Sequence, residues 1–142
     1  ITNQRGISLG KFRECDLSVI HDRMRIELQC AGVRLDAVYY CPHDHNSCTC
    51  RKPDIGLFLQ AQRDFPDIHF PSSLVVGDSL VDMEAAARLG CKKILVGNGT
   101  GETLALLTAR NIQVDVFANS LLEAVTEFLL RQHEGRSGKQ GL

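Results

Sequence analysis

The sequence has no tryptophan, two tyrosines, two methionines and four prolines in 142 residues, and no apolar run is longer than six residues. A membrane-crossing helix needs ~20 apolar residues in a row, so none is written into this chain. An excess of either charge is also lacking: sixteen Lys and Arg face seventeen Asp and Glu, for a formal net of −1. With no global basic field, neither nucleic acid nor an anionic membrane surface is an expected partner. Internal repeats are absent too. Ile1 opens the chain without a methionine and polar Thr2-Asn3-Gln4 follows at once. No secretory leader is therefore expected, and the chain is expected to begin inside a longer fold. What is present is ordinary: 44% apolar and 23% charged residues, enough for one globular domain with a real core.

Strand and helix signals alternate. Phe12, Ile20, Met24 and Leu28 fall near helical spacing, which predicts a helix over 11–30 with Gly32 as its stop. Leu35–Tyr40 is a short β-prone run, residues 41–53 are a polar loop closed by Pro53, and Ile55–Phe65 predicts a helix followed by Pro66 and Pro71. Ser73–Gly77 suits a buried parallel strand, and Val81–Leu89 an alanine-rich helix with Gly90 at its end. Lys93–Val96 predicts a strand, Glu102–Ala109 a helix, Asp115–Ala118 a strand, and Leu121–Arg131 a helix. The expectation is an α/β fold with a mostly parallel sheet covered by helices on both faces, and chemistry at the carboxyl ends of its strands. Residues 1–132 are read as one domain and 133–142 as a flexible tail.

Six cysteines admit a disulfide framework, but their placement favours a reduced, cytoplasmic protein. Cys15, Cys30 and Cys91 stand among apolar neighbours, where a thiol acts as a small hydrophobe. Cys41, Cys48 and Cys50 crowd into ten residues with His43. Three thiolates and an imidazole are the soft donor set of a closed tetrahedral zinc site, so a structural Zn2+ is expected there. A disulfide or free thiols are the other readings, and His45 is an alternative to His43.

Three further segments end on the same strand edge. In Gly77-Asp78-Ser79-Leu80-Val81-Asp82, Asp78 closes a strand and Asp82 opens a helix. Two carboxylates there could hold a hard cation such as Mg2+, or could simply cap the helix. Arg51-Lys52-Pro53 could neutralise a phosphate or be a solvated pair. Thr2-Asn3-Gln4 could donate to an oxyanion or be a turn. Gly97-Asn98-Gly99-Thr100-Gly101 lacks a full dinucleotide fingerprint and reads better as a loop.

Taken together, these segments resemble the haloacid dehalogenase (HAD) superfamily of phosphatases: Thr2-Asn3-Gln4 its second motif, Lys52 its third, and Gly77-Asp78-x-x-x-Asp82 its fourth. Within it, Arg5-Gly6-Ile7, Gly10-Lys11-Phe12 and the run from Tyr39 through Cys41-Pro42-His43 to Cys48-x-Cys50-Arg51-Lys52-Pro53 resemble the D-glycero-D-manno-heptose-1,7-bisphosphate 7-phosphatases, with histidinol-phosphate phosphatases as near relatives. The resemblance implies a HAD-like Rossmannoid three-layer sandwich and Mg2+-dependent hydrolysis of a sugar phosphomonoester through a phospho-aspartyl intermediate, in a protein that is monomeric when complete. It implies that Thr2 and Lys52 stabilise the transferring phosphoryl group, and that Asn3, Gln4, Arg5, Arg51 and Ser79 join them in contacting substrate. Asp78 would ligate Mg2+ and Asp82 would stand behind it. Cys41, His43, Cys48 and Cys50 match the zinc ligands. Ser79 stands where these enzymes often carry Lys, which removes a cation from the pocket.

The superfamily's first motif, Asp-x-Asp, occurs nowhere in the 142 residues. The resemblance places its strand at the centre of the sheet, between the Thr2 strand and the Gly77 strand. Residues 1–142 alone are therefore expected to lack turnover and to fold poorly or aggregate. A catalytically dead module that binds phosphorylated ligands is the alternative.

Overall fold

Strand and helix do alternate along the chain, in a computed structural model that describes residues 1–97 and 101–126. The order is β1 (Thr2–Asn3), α1 (Glu14–Cys30), β2 (Tyr40–Cys41), α2 (Gly56–Asp64), β3 (Leu74–Gly77), α3 (Leu80–Leu89), β4 (Lys92–Val96), α4 (Gly101–Ala109) and β5 (Val116–Ala118). The chain divides into two compact units, Ile1–Asp67 and Ile68–Leu142. All strand pairs are parallel: β1 with β2 in the first unit, and the order β3-β4-β5 in the second. Among the described residues no strand pairs the other edge of β1 or of β3, the two edges where the resemblance puts a further strand.

In the first unit the register sets Thr2 opposite Tyr40 and Asn3 opposite Cys41. The expected strand over Leu35–Tyr40 shrinks to Tyr40–Cys41, because the ladder is only as long as its two-residue partner. The helix expected from residue 11 begins at Glu14. Arg13 is extended at its N-cap, and its backbone N–H donates to the Asp16 carboxylate at 2.9 Å. An acidic side chain in the first turn satisfies an orphan amide and suits the positive end of the helix. Phe12 therefore lies outside the helix. Leu17 is the buried residue of α1, while Ile20 is 61% exposed. Ile20 joins Phe12, Leu17, Met24, Leu35 and Val38 around a groove of about 600 Å³. Cys15 and Cys30 are exposed on the same helix, so the small-hydrophobe reading fails for them. Of these three only Cys91 is buried, and burial pushes its thiol up.

The second unit is a small layered sandwich. On β4, Ile94 and Leu95 are both buried, yet they face opposite ways as successive strand residues must. Ile94 packs with Val116, Ala118 and Ala124, the last from the helical residues 121–126. Leu95 packs with Met83 of α3 and Leu107 of α4. A strand covered on both faces reads as a continuous apolar run, which is why Lys93–Val96 carried no alternation. α3 ends at Gly90 with φ 71°, the expected stop. Part of the Gly97–Gly101 loop, the end of the 121–131 helix and the 133–142 tail lie outside the described residues. Among the described residues no helix is long and apolar enough to cross a membrane.

The turn between β3 and α3 leaves no room at Gly77. A Cβ there would lie 2.3 Å from the Cβ of Asp82, itself 5% exposed. Gly77→Ala should therefore lower unfolding free energy by about 1–3 kcal/mol, the usual cost of overpacking, measured by urea denaturation of the full-length protein. An unchanged midpoint would contradict the close approach.

Candidate functional site

The first unit brings the Thr2–Arg5 segment and the 41–52 loop together because β1 and β2 pair and both chains leave the same end. The Thr2 N–H donates to the Tyr39 carbonyl at 2.9 Å, and the Gln4 N–H to the Cys41 carbonyl at 2.7 Å. Asn3 closes a two-way amide contact with the far end of the loop: its Nδ2 donates to the Lys52 carbonyl and its Oδ1 accepts from the Lys52 N–H, both at 3.1 Å. The Lys52 Nζ donates to the Ile1 carbonyl at 3.0 Å. Gln4 Nε2 donates to Thr2 Oγ1 at 3.0 Å, which directs the hydroxyl proton of Thr2 elsewhere. Arg5 Nε donates to Asp44 Oδ1 at 2.5 Å, and this bond, with the backbone bond from His45, holds the Asp44 carboxyl below the usual carboxylate range. Arg51 reaches the His43 carbonyl at 3.4 Å.

Between those anchors the loop folds four donors onto one point. The Sγ atoms of Cys41, Cys48 and Cys50 and Nδ1 of His43 all lie within 4.8 Å of one another. Cys50 Sγ is 3.2 Å from Cys41 Sγ, 3.3 Å from Cys48 Sγ and 3.2 Å from His43 Nδ1. Cys41 Sγ is 3.5 Å from Cys48 Sγ and 3.6 Å from His43 Nδ1. These sulfurs are too far apart for the ~2.05 Å of a disulfide, and all six cysteines are free. His43, not His45, supplies the nitrogen. The four residues could hold a metal ion.

The thiols differ in how readily they lose a proton. Burial pushes Cys48 up, but hydrogen bonds at its sulfur from Cys50, Cys41 and the backbone outweigh this and bring it down to about 7. Cys50 is pushed up to about 12 by burial and by its place beside the Cys41 and Cys48 sulfurs. Room is short here too: a Cβ on Gly56 would lie 2.5 Å from the Thr49 carbonyl oxygen and 3.0 Å from Cys50 Cα, both backbone atoms.

In the second unit Asp78 is exposed just past β3, at its carboxyl end. Asp82 is buried, and its Oδ2 accepts from Ser79 Oγ at 2.5 Å and from the Ser79 N–H at 3.2 Å. Asp82 thus works as the capping partner of α3, with Ser79 at the N-cap. Asp44 carried no sequence signal of its own. Its partner is 39 residues away, a separation no local spacing rule reaches.

A family model described as HAD-hydrolase-like matches residues 49–124. The chain belongs to that family. It is 42% identical over 106 residues to a D-glycero-β-D-manno-heptose-1,7-bisphosphate 7-phosphatase of Bordetella bronchiseptica, a match covering 73% of this chain and 59% of that protein. It is 38% identical over 111 residues to a D-glycero-α-D-manno-heptose-1,7-bisphosphate 7-phosphatase of Mycobacterium bovis, covering 74% and 58%. A crystal structure of D,D-heptose 1,7-bisphosphate phosphatase from B. bronchiseptica, complexed with magnesium and phosphate, matches with a TM-score of 0.74 and 36% identity, over 92% of this chain and 72% of that one. The fold is therefore the α/β fold of HAD-like phosphatases. The chain spans about three fifths of the length of the two curated relatives.

Two outcomes test the cluster. Metal affinity should fall about tenfold per pH unit for each proton the metal displaces, and the slope should steepen below pH 7 as Cys48 adds its proton to that of Cys50. Competition with a chromogenic chelator from pH 6 to 8 reads this directly, and a flat profile would exclude thiolate ligation. Gly56→Ala should weaken the same affinity by about tenfold or more, since neither backbone neighbour can move without moving Cys50.

Proposed function

We propose that this chain supplies the phosphate-handling part of a sugar-phosphate phosphatase that removes the 7-phosphate of D-glycero-D-manno-heptose 1,7-bisphosphate in the cytoplasm. The observation that carries the reading is the stapling of Asn3, Gln4 and Arg5 to Lys52, Cys41 and Asp44, which gathers hydroxyl, amide, guanidinium and ammonium donors around one strand end. Donors fixed before the substrate arrives stabilise developing phosphoryl charge without reorganising at the moment of reaction. Thr2 donates its hydroxyl proton to a phosphoryl oxygen, since its lone pair already accepts from Gln4. Lys52 sets positive charge against the same group. Asn3, Gln4, Arg5 and Arg51 contact the substrate.

The Cys41, His43, Cys48 and Cys50 set is that of a structural zinc ion. Tetrahedral ligation at ~2.3 Å would put sulfurs ~3.8 Å apart, and the observed sulfur–sulfur distances of 3.2–3.5 Å are close enough for a small relaxation to reach it. Asp78 offers a hard, exposed carboxylate oxygen at a strand end, the donor a magnesium ion takes, while Asp82 fixes the turn that carries it through Ser79. Bound there, magnesium would supply charge to offset the phosphoryl oxygens. Attack on phosphorus and protonation of the leaving oxygen need an Asp-x-Asp that these 142 residues do not contain, so we assign them the cradle and not the nucleophile.

Phosphate release from the α and β anomers of the heptose bisphosphate and from histidinol phosphate is the decisive assay. The full-length protein should prefer a heptose bisphosphate, and Lys52→Ala should lower kcat by about 10²–10³-fold, the cost of one positioned donor. Preference for histidinol phosphate would replace the substrate. The missing Asp-x-Asp favours one other reading, a phosphate-binding module without turnover. Thermal stabilisation by heptose bisphosphate with no phosphate released would establish that reading instead.

A further inference from the structure

Three consecutive residues of the first segment each reach a different part of the Cys/His loop. Asn3 holds Lys52 at its end, the Gln4 N–H holds Cys41 at its start, and Arg5 holds Asp44 in its middle. The first two contacts use backbone atoms of the loop and fix its path. The third joins two side chains, and it is the one contact of the three that aims a charged group. Asp44 sits directly after His43, the nitrogen donor of the cluster. Its Oδ1 also accepts from the His45 N–H at 2.6 Å, and its carbonyl accepts from Ser47 Oγ at 2.8 Å. The carboxylate is thus held by its own turn before Arg5 arrives. Both partners of the pair are more than two fifths exposed, at 42% and 43%, so solvent screening makes it a poor source of stability. A guanidinium is a rigid planar fork, however. Fixing Nε on a carboxylate fixes where its remaining N–H groups point.

We propose that Asp44 is a positioning residue for Arg5: the metal-binding loop sets, through this carboxylate, the direction in which the Arg5 guanidinium meets an anionic substrate. The inference rests on the reading above that Arg5 contacts the substrate. It makes the Cys/His cluster more than a clamp on a polar loop, because whatever orders residues 41–50 also orders Arg5. The chemistry recognised is a phosphomonoester dianion, to which a fork with one edge pinned presents its other edge. Arg51 differs in this respect, since its guanidinium contacts a backbone carbonyl at 3.4 Å and, among the described residues, no carboxylate.

The test uses the full-length metal-loaded protein and its Asp44→Asn and Asp44→Glu variants. Metal content is read by native mass spectrometry, KM and kcat with heptose bisphosphate, and the Arg5 Nε–H resonance by NMR, assigned through its loss in Arg5→Lys. Asp44→Asn should keep its metal, raise KM about five- to tenfold and leave kcat within about twofold, as expected for one misdirected charge-assisted hydrogen bond. Asp44→Glu should restore most of the KM. The Arg5 Nε–H should exchange slowly in the parent protein, and rapidly in Asp44→Asn and after chelation with EDTA. An unchanged KM and an unchanged resonance in Asp44→Asn would overturn the proposal, as would loss of metal with kcat falling at an unchanged KM, which marks a structural role. If the parent protein released no phosphate from any substrate offered, the functional reading would fail, and the NMR arm would still decide whether Asp44 and the metal orient Arg5.

Discussion

The side-chain amide of Asn3 meets the backbone amide of Lys52 with both its donor and its acceptor, and the first unit depends on that contact. A polar loop of a dozen residues has little apolar surface to bury, so the hydrophobic effect cannot choose its path. Directional bonds must do so. The Asn3 contact fixes one end, the Gln4 N–H on Cys41 fixes the other, and the four Cys and His donors converge in between. Each bond is worth only about 1 kcal/mol net, but together they specify one arrangement where packing would leave many.

The second unit is organised by different physics. β4 is buried on both faces, and its neighbours Ile94 and Leu95 each anchor a separate apolar cluster. There the ladder and the core choose the structure, and the polar side chains only finish it. Asp82 is the exception: a carboxylate 5% exposed, kept inside by its bonds to the Ser79 hydroxyl and amide. Burying a charge without partners is prohibitive, so the turn after β3 and the start of α3 cannot be altered separately. Gly77 is the small residue that lets the backbone pass Asp82 at all.

The parts of the fold that were legible in the sequence are those set by packing. β3, β4 and β5, and the helices between them, follow from short apolar runs and from the Gly90 stop, because burial imposes a period on the chain. The first unit was harder. Leu35–Tyr40 has strand composition, yet only Tyr40 of it joins a strand, since pairing is decided by a partner elsewhere and not by propensity. α1 was visible, but its start was set by Asp16 bonding back to Arg13, and its apolar residues other than Leu17 lie half-buried or exposed. At the site, donor chemistry made the four Cys and His residues visible, because soft ligands crowded into ten positions have few other uses. The Arg5 to Asp44 pair was invisible for the opposite reason: arginine and aspartate are common surface residues, and only the fold brings these two together.

Charge accounts for the arrangement of the first unit more fully than shape does. Arg5, Arg51 and Lys52 lie on the two segments that the β1–β2 pairing holds together, and like charges brought together repel unless something opposes them. Asp44 supplies one negative charge. Three thiolates and a neutral imidazole around a divalent ion would carry a further net −1, next to Arg51 and Lys52 in the chain. With Asp54, two residues past Lys52, the formal charges then balance. Without an ion the Cys50 thiol keeps its proton most firmly, and a metal bound there would have to displace it. The four Cys and His donors and the cations beside them are therefore joined by the backbone of residues 41–52 and by the side chains of Asn3 and Arg5.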